Sequence, residues 1–423
     1  MKFKQQDKQN QLIEKITPSH LVVGIDIAQE THVARAVNYR GIVLGQPLSF
    51  TNDEGGFHHL LEWIHSLQGE KQLSAVIVGM EPTGHYWLNL ARWLSAHTFE
   101  VVLVNPHLVK KNKENRDNTP SKSDKKDALV IADMVKNGYY SFTRQNPEMF
   151  EELRVLMSNR DVITKRLVSA ANQLHRWIDI VFPEYRQLFQ DITCPSSLAT
   201  LRLFPIPADL CMKQPKDIIE GWKTRLKRHP GSKRAQTLLA LAARSVGTRQ
   251  AQRAYQLHLE QLLDEYDLAS AQLQTVEQEV KTALQQIPFA KHMLSIQGLS
   301  VITVAGILAE SGDLSGFAHG NALLRHAGLN LSEASSGKWK GQIVVTKRGR
   351  SRLRRFLFLA VMSLTANHPD FRAMHHHNVQ VKKMKRIKSL IKLCGKLSRV
   401  LVAMAHSGQP YVLQNTLPVV QAA

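Results

Sequence analysis

The amino-acid sequence predicts an α/β front domain, a long helical coiled-coil middle and a mostly α-helical C-terminal domain. Two observations carry this reading. Apolar runs of strand length alternate with helical periodicity as far as about residue 145, and heptad spacing then takes over. The divisions fall at 1–18 (a polar tail), 19–145, 146–290, 291–410 and 411–423 (a second tail).

In the front domain the apolar run Leu21–Ile27, the stretch Thr31–Tyr39 and, after a turn at Gly41, the stretch Ile42–Phe50 read as three successive strands. Thr51, Asn52 and Asp53 offer caps for a helix through GGFHHLLEWIHSL. Ser74–Glu81 reads as a buried strand, Tyr86–His97 as a helix and Val101–Asn105 as a strand. The polar, basic segment His107–Thr119 reads as a loop. Ser121 or Ser123 then caps a helix carrying Asp124, Asp127, Ile131 and Val135 that stops near Gly138. This order is the layout of a ribonuclease-H-like α/β domain.

In the middle, Leu153, Leu156, Arg160, Ile163, Leu167, Ala170, Leu174 and Trp177 alternate spacings of three and four, an a/d seam with one charged interruption. Leu259, Leu262, Tyr266, Ala269, Leu273, Val276, Val280 and Ala283 repeat the pattern without a charge, and Pro288 ends it. Such seams specify contact but not partner, so pairing within the chain and across a dimer both stay open. Between them lies a Pro-rich stretch with a basic segment, Lys223–Lys233, readable as a nucleic-acid contact or as an ordinary surface helix. In the back, Leu294–Asp313 reads as helix, tight turn at Gly298, helix. It resembles a helix-hairpin-helix, although a plain helical hairpin fits equally. A Ser-Ser-Gly turn at Ser335–Gly337, a strand ending near Thr346 and a basic helix follow.

Charge narrows the partner. The chain of 423 residues carries 55 Lys and Arg against 35 Asp and Glu, a formal charge of +20, which favours a polyanion over a small acidic substrate. From Lys338 to Arg399 there are 17 Lys or Arg and a single acid, Asp370. The cations around the Ser-Ser-Gly turn, Lys338, Lys340, Lys347, Arg348, Arg350, Arg352 and Arg355, are the candidate nucleic-acid contacts. Cys194, Cys211 and Cys394 share no zinc-ligand or redox spacing, and neither a signal segment nor a membrane span is evident. A cytoplasmic, nucleoid-associated protein with no membrane partner is expected.

Four acids stand out. Asp26 lies inside an apolar strand, where an uncompensated carboxylate is costly. Glu81 ends another such strand, and Asp124 and Asp127, three apart, share a helix face. Together they supply a hard-oxygen set suited to Mg²⁺ or Mn²⁺, able to activate an attacking oxygen and stabilise a leaving one. GIDIAQET also looks like the first phosphate loop of actin-like kinases, but no further glycine-rich phosphate loop follows. Ser335 and Ser336, taken alone, are turn residues, and no local His or Asp is placed to activate either.

The ordered motifs GIDIAQET, VGMEPTGHYW, KSDKKDA and LSIQGLSVITVAGILAESGD, then AGL with SSG, TKRG and LRRFL, resemble the insertion-sequence one-ten family of transposases, including its one-one-one-one subgroup. The resemblance runs from about Val22 to Ala366. It implies that Asp26, Glu81, Asp124 and Asp127 hold catalytic Mg²⁺ in a RuvC-like domain of DEDD type. It implies also that Ser336, with Ser335 as fallback, attacks the DNA backbone and is transiently linked to it. The implied partners are donor and target double-stranded DNA, a structured noncoding guide RNA and further copies of the chain in a tetramer assembled as a dimer of dimers, each active site drawing on two chains. Sequence choice would then rest with base pairing. Two departures are Gln297-Gly298, where many relatives carry Pro-Gly, and Leu331, where they carry proline. The resemblance leaves His375–His377 unexplained, and they read as surface or phosphate-contacting residues and not as a metal site. Two other readings follow from the same residues: a junction-cleaving nuclease working through metal-activated water, and a non-enzymatic nucleic-acid-binding protein.

Overall fold

The computed structural model describes residues 2–82, 84–112, 123–143, 147–228, 230–332, 335–336, 339–340 and 343–412. Ser121, Gly337, Lys338 and residues 113–119 of the expected basic loop lie outside them, and for Ser335, Ser336 and Lys340 the backbone alone is described. The chain divides into two compact units, Met1–Gln145 and Asn146–Ala423.

The front unit is built on a six-stranded mixed sheet in the order β3-β2-β1-β4-β5-β6. Its strands are β1 (His20–Asp26), β2 (Thr31–Val37), β3 (Val43–Thr51), β4 (Ala75–Met80), β5 (Glu100–Val104) and β6 (Tyr140–Phe142). The first three form an antiparallel meander, and β1, β4 and β5 run parallel. The parallel strands LVVGI, AVIVGM and EVVLV are apolar almost throughout because helices cover both of their faces.

The helices of this unit are α1 (Lys2–Glu14), α2 (Glu54–Lys71), α3 (Trp87–Ala96), α4 (Pro106–Asn112) and α5 (Asp124–Lys136). Asp53 caps α2 as expected, its side chain accepting the Gly56 N–H at 2.7 Å. Three features depart from the sequence reading. The polar tail is helical, docking through Ile16, Leu12 and the bond from the Tyr140 hydroxyl to the Leu12 carbonyl. The first residues of the expected basic loop form α4, with Pro106 at its start, where a missing N–H costs nothing. Strand β6 is too short to show periodicity and is held by antiparallel pairing to β5.

The second unit is helical apart from two small ladders. Helices α6 (Glu148–Val181) and α11 (Gln252–Gln285) are the two heptad segments, and they pair with each other within the chain. Arg160 bonds Glu277, Arg166 bonds Gln272, and the Trp177 indole donates to the Tyr255 carbonyl, a register that runs antiparallel. The charged interruption in the seam is thus answered: Arg160 reaches one Glu277 oxygen through Nε at 2.8 Å and Nη2 at 2.6 Å.

The Pro-rich stretch between them folds into α7 (Pro195–Leu203), α8 (Pro207–Cys211), α9 (Pro215–Arg225) and α10 (Ser232–Ala243). These close a separate core around Trp177, Tyr185 and Trp222. The remainder comprises α12 (Ala290–Leu294), α13 (Val301–Ser311), α14 (Gly320–His326), α15 (Ser351–Asn367), α16 (Pro369–His376) and α17 (Arg386–Ser407). The expected turn at Gly298 lies between α12 and α13, at φ +103°. Its Cα packs so closely on α15 that an added Cβ would sit 3.3 Å from the Ser363 carbonyl oxygen.

Candidate active site and nucleic-acid interface

Helix α5 reaches the sheet because two strand residues lack side chains. A Cβ on Gly24 of β1 would lie 2.2 Å from the Ala128 carbonyl oxygen, and one on Gly79 of β4 would lie 2.3 Å from Val135 Cγ2. Side chains alternate along a strand, so Asp26, two residues beyond Gly24, shares the face that carries α5. Glu81 lies two residues beyond Gly79 and one beyond the last registered pair, Ile25 with Met80. The adjacent parallel strands therefore deliver Asp26 and Glu81 side by side at their C-terminal edge. Asp127 immediately precedes the helix residue that touches Gly24.

Three of the four carboxylates are thus placed by the close approach of α5 to β1 and β4. Asp127 is 6% exposed, Asp26 and Glu81 are half-buried, and Asp124, in the same first turn as Asp127, faces solvent. Asp26, Glu81 and Asp127 each have an interaction partner in the structure. The turn after Asp26 is pinned by His32, fully buried, whose Nδ1 accepts the Ala28 N–H at 3.2 Å. Burial lowers its pKa more than the Asn52 side chain raises it, which keeps the ring neutral and able to accept.

Hard carboxylate oxygens gathered at one sheet edge suit Mg²⁺ or Mn²⁺ in chemical kind. The side chains themselves stand apart: among the described residues no group of three or more His, Cys, Asp or Glu lies close enough to hold a metal ion.

Ser335 and Ser336 occupy an excursion between α14 and α15. The strand β7 (Leu331–Ser332) pairs antiparallel with β10 (Val344–Val345), and β8 (Ser335–Ser336) with β9 (Trp339–Lys340). The register sets Ser336 opposite Trp339 and Ser335 opposite Lys340. The expected strand ending near Thr346 is present as β10, shorter than the pattern suggested. At its base, the Thr346 N–H donates to the Asn330 carbonyl at 2.9 Å and the Lys347 N–H to the Gly328 carbonyl at 3.0 Å. Gly328, at φ +68°, and Gly349 press together there: a Cβ on Gly349 would lie 2.5 Å from the Gly328 nitrogen.

The candidate nucleic-acid cations divide into two sets. Lys347, Arg348 and Arg355 are exposed. Arg350 and Arg352 are engaged by protein. Arg350 Nη1 donates to the Glu310 carbonyl at 2.9 Å. Arg352 reaches Asp161 of α6 at 2.9 Å, Glu310 of α13 at 3.2 Å, and the Met157 carbonyl at 3.1 Å. Glu310, with 8% exposure, is the buried acid these arginines answer. Sequence reasoning missed it, although an acid in the apolar run VITVAGILAES is the same signal that singled out Asp26. Arg354, also passed over, bonds the Ala327 carbonyl at 2.9 Å and helps close the hairpin base.

Comparison with known proteins gives both regions a class. A family model described as Transposase, the DEDD type of IS110, matches residues 23–183. A second, described as Transposase IS116/IS110/IS902 family, matches residues 290–376. The first takes in all four acids, the second the serine excursion, and together they cover more than half of the chain.

Over these two stretches the chain is similar to IS110-type transposases. It is 26% identical to the pilin gene-inverting protein of Moraxella lacunata over 205 residues, covering 43% of this chain and 59% of that protein. It is 26% identical over 332 residues to the transposase ascribed to the IS117 mini-circle of Streptomyces coelicolor, covering 74% of this chain and 77% of the other. To the 44.8 kDa protein of insertion element IS116 from Streptomyces clavuligerus it is 25% identical over 343 residues, covering 81% and 84% of the two. No helix among the described residues is long and apolar enough to cross a membrane.

Proposed function

We propose that this chain is the DNA recombinase of an insertion sequence, cleaving and rejoining strands with two separate pieces of chemistry. The front unit is the RuvC-like piece, with Asp26, Glu81, Asp124 and Asp127 as ligands of Mg²⁺ or Mn²⁺. The back unit supplies Ser336 as nucleophile, or Ser335 in its place. The carrying observation is that Gly24 and Gly79 bring α5 onto β1 and β4, so that Asp26, Glu81 and Asp127 share one face and one edge. The strand order and the match to a DEDD transposase model support the same assignment.

In this reading the Ser336 hydroxyl oxygen attacks a backbone phosphorus. A P–O bond to the serine forms, the bond to one deoxyribose oxygen breaks, and the hydroxyl proton passes to solvent or to a carboxylate. The released strand leaves as an alcohol. Attack by another strand's hydroxyl then restores a phosphodiester and frees the serine, so each step conserves the number of ester bonds. A bound divalent ion would supply charge stabilisation for the attacking and leaving oxygens. The work of the chain's own residues is to hold the acids on a rigid edge and to present the serine on a hairpin. The exposed Lys347, Arg348 and Arg355, with Lys338 and Lys340, would hold phosphates, and sequence choice would belong to a structured guide RNA that pairs with donor and target DNA. The working assembly would be a tetramer built as a dimer of dimers, acting in the cytoplasm at the nucleoid.

Asp127→Asn should lower strand exchange by about 10³-fold or more while leaving DNA binding nearly intact, because the carboxylate serves the reacting oxygens and not the backbone grip. Retained exchange in both Asp26→Asn and Asp127→Asn would remove the carboxylates from the chemistry. The guide is tested by expressing the chain with its flanking DNA, washing at high salt and sequencing the retained RNA. One discrete RNA from that flank, with loops complementary to donor and target, is expected, and only heterogeneous RNA would remove the guided part of the reading.

A further inference from the structure

Beyond the last residue matched by either family model, Lys382, Lys383 and Lys385 stand in the turn that leads into α17, and Arg386 and Lys388 in its first turn. All five side chains are exposed. No acid follows Asp370 in the sequence, and Asp370 itself accepts the Tyr411 hydroxyl at 2.7 Å. Among the described residues none of the five cations forms an ion pair with a carboxylate. Like charges packed into so short a segment repel one another, so something else must hold the turn in one shape.

A buried polar cluster does so. The Met384 N–H donates to the Asn378 carbonyl at 2.9 Å and the Lys382 N–H to the His377 carbonyl at 3.0 Å. Asn378, 4% exposed, donates through its side-chain amide to Ser389 Oγ at 3.2 Å and accepts from Lys392 Nζ at 3.1 Å. His375 Nδ1 lies 2.9 Å from the same Ser389 oxygen, and Ser389 is fully buried. His375, unexplained by the sequence, therefore belongs to the scaffold of the turn. Lys383 adopts φ +49°, a left-handed conformation that glycine takes without penalty. A lysine at such a position, with its side chain in solvent, gains nothing from packing.

We propose that this preorganised cationic turn is a docking surface for the phosphate backbone of duplex DNA, gripping it without regard to sequence. A fixed array of cations with no carboxylate partner among the described residues suits closely spaced backbone phosphates, whose condensed counter-ions it would release. The inference rests on the recombinase reading and adds a second DNA contact to the cations near the serine hairpin.

The test is the salt dependence of binding by the full chain to a labelled duplex of about 30 base pairs, followed by anisotropy across roughly 50–300 mM KCl. The triple variant Lys382→Gln, Lys385→Gln, Arg386→Gln should flatten the slope of log K against log[salt] by about 2 to 3, since each lost phosphate contact removes ~0.9. A charge-matched control, Lys165→Gln, Arg176→Gln, Lys281→Gln, alters exposed cations of α6 and α11 and should keep the wild-type slope. Lys382→Arg with Lys385→Arg should also keep it. Equal flattening in the two Gln triples would reduce the effect to net charge and overturn the assignment, as would a wild-type slope in the turn variant. Flattening on duplex RNA but not on duplex DNA would overturn it in favour of an RNA contact. A wild-type chain with no salt-dependent hold on DNA would remove the recombinase reading itself, an outcome distinct from losing the turn alone.

Discussion

The two regions proposed to carry the chemistry are built in opposite ways. The acids stand at the edge of a core, fixed by two strands whose glycines admit α5 to within backbone contact. The serines stand on a hairpin of two-residue ladders, joined to its core through Gly328, Gly349 and a few main-chain bonds. A carboxylate set needs fixed placement because ligand geometry decides which ion and which oxygen it serves. A nucleophile that must meet a strand, let it go and meet another is better presented on a narrow projection. The difference teaches that the same chain separates rigidity from reach.

Substitutions at the points where each region is anchored sharpen this contrast. Gly24→Val forces a side chain into the Ala128 and Ala132 backbone, and the front unit should lose roughly 3–5 kcal/mol, read as a fall in its urea midpoint. An unchanged midpoint would mean that α5 can ride further from the sheet, and the shared edge would lose its cause.

Arg352→Met should come next. It leaves Glu310 and Asp161 without their shared guanidinium and should cost about 2–4 kcal/mol in the back unit, with little change in the salt slope of DNA binding. If Arg352 were a phosphate contact, the slope would fall and the stability would hold. Gly328→Ala is the smallest, about 1–3 kcal/mol, from a left-handed backbone and a Cβ that would lie 2.8 Å from the Arg348 carbonyl carbon. Its larger consequence should be on strand exchange, because it shifts the hairpin base. Equal losses of exchange and of stability would argue against that positioning role.

Legibility in the sequence follows the same contrast. Apolar strands and the acids that interrupt them are visible because burial forces a pattern, and the strands, α2, α3 and α5 appear close to where the pattern puts them. The seams of α6 and α11 are visible for the same reason, but their mutual pairing depends on long-range contacts such as Arg160 with Glu277 that no local spacing encodes. Helix α1 carries too few apolar residues to show periodicity. Helices α7, α8 and α9 were hidden in a Pro-rich stretch, yet Pro195, Pro207 and Pro215 each stand at a first helical position, where proline marks a start and not a break. The cations posed the hardest problem. A basic run does not say which members face solvent, and the buried partner Glu310 lies 40 residues before Arg350.

The central claim is that a serine on the hairpin becomes bonded to DNA, and it is tested most directly by trapping that bond. The full chain would be incubated with labelled donor DNA, its RNA and Mg²⁺, denatured, and resolved for a protein–DNA adduct. A covalent adduct in the wild type that disappears in Ser336→Ala and persists in Ser335→Ala is the expected result. Loss in Ser335→Ala alone would move the role to its neighbour. An adduct surviving both substitutions would contradict the serine role, and nicked DNA with no adduct at all would leave a metal-dependent nuclease in its place.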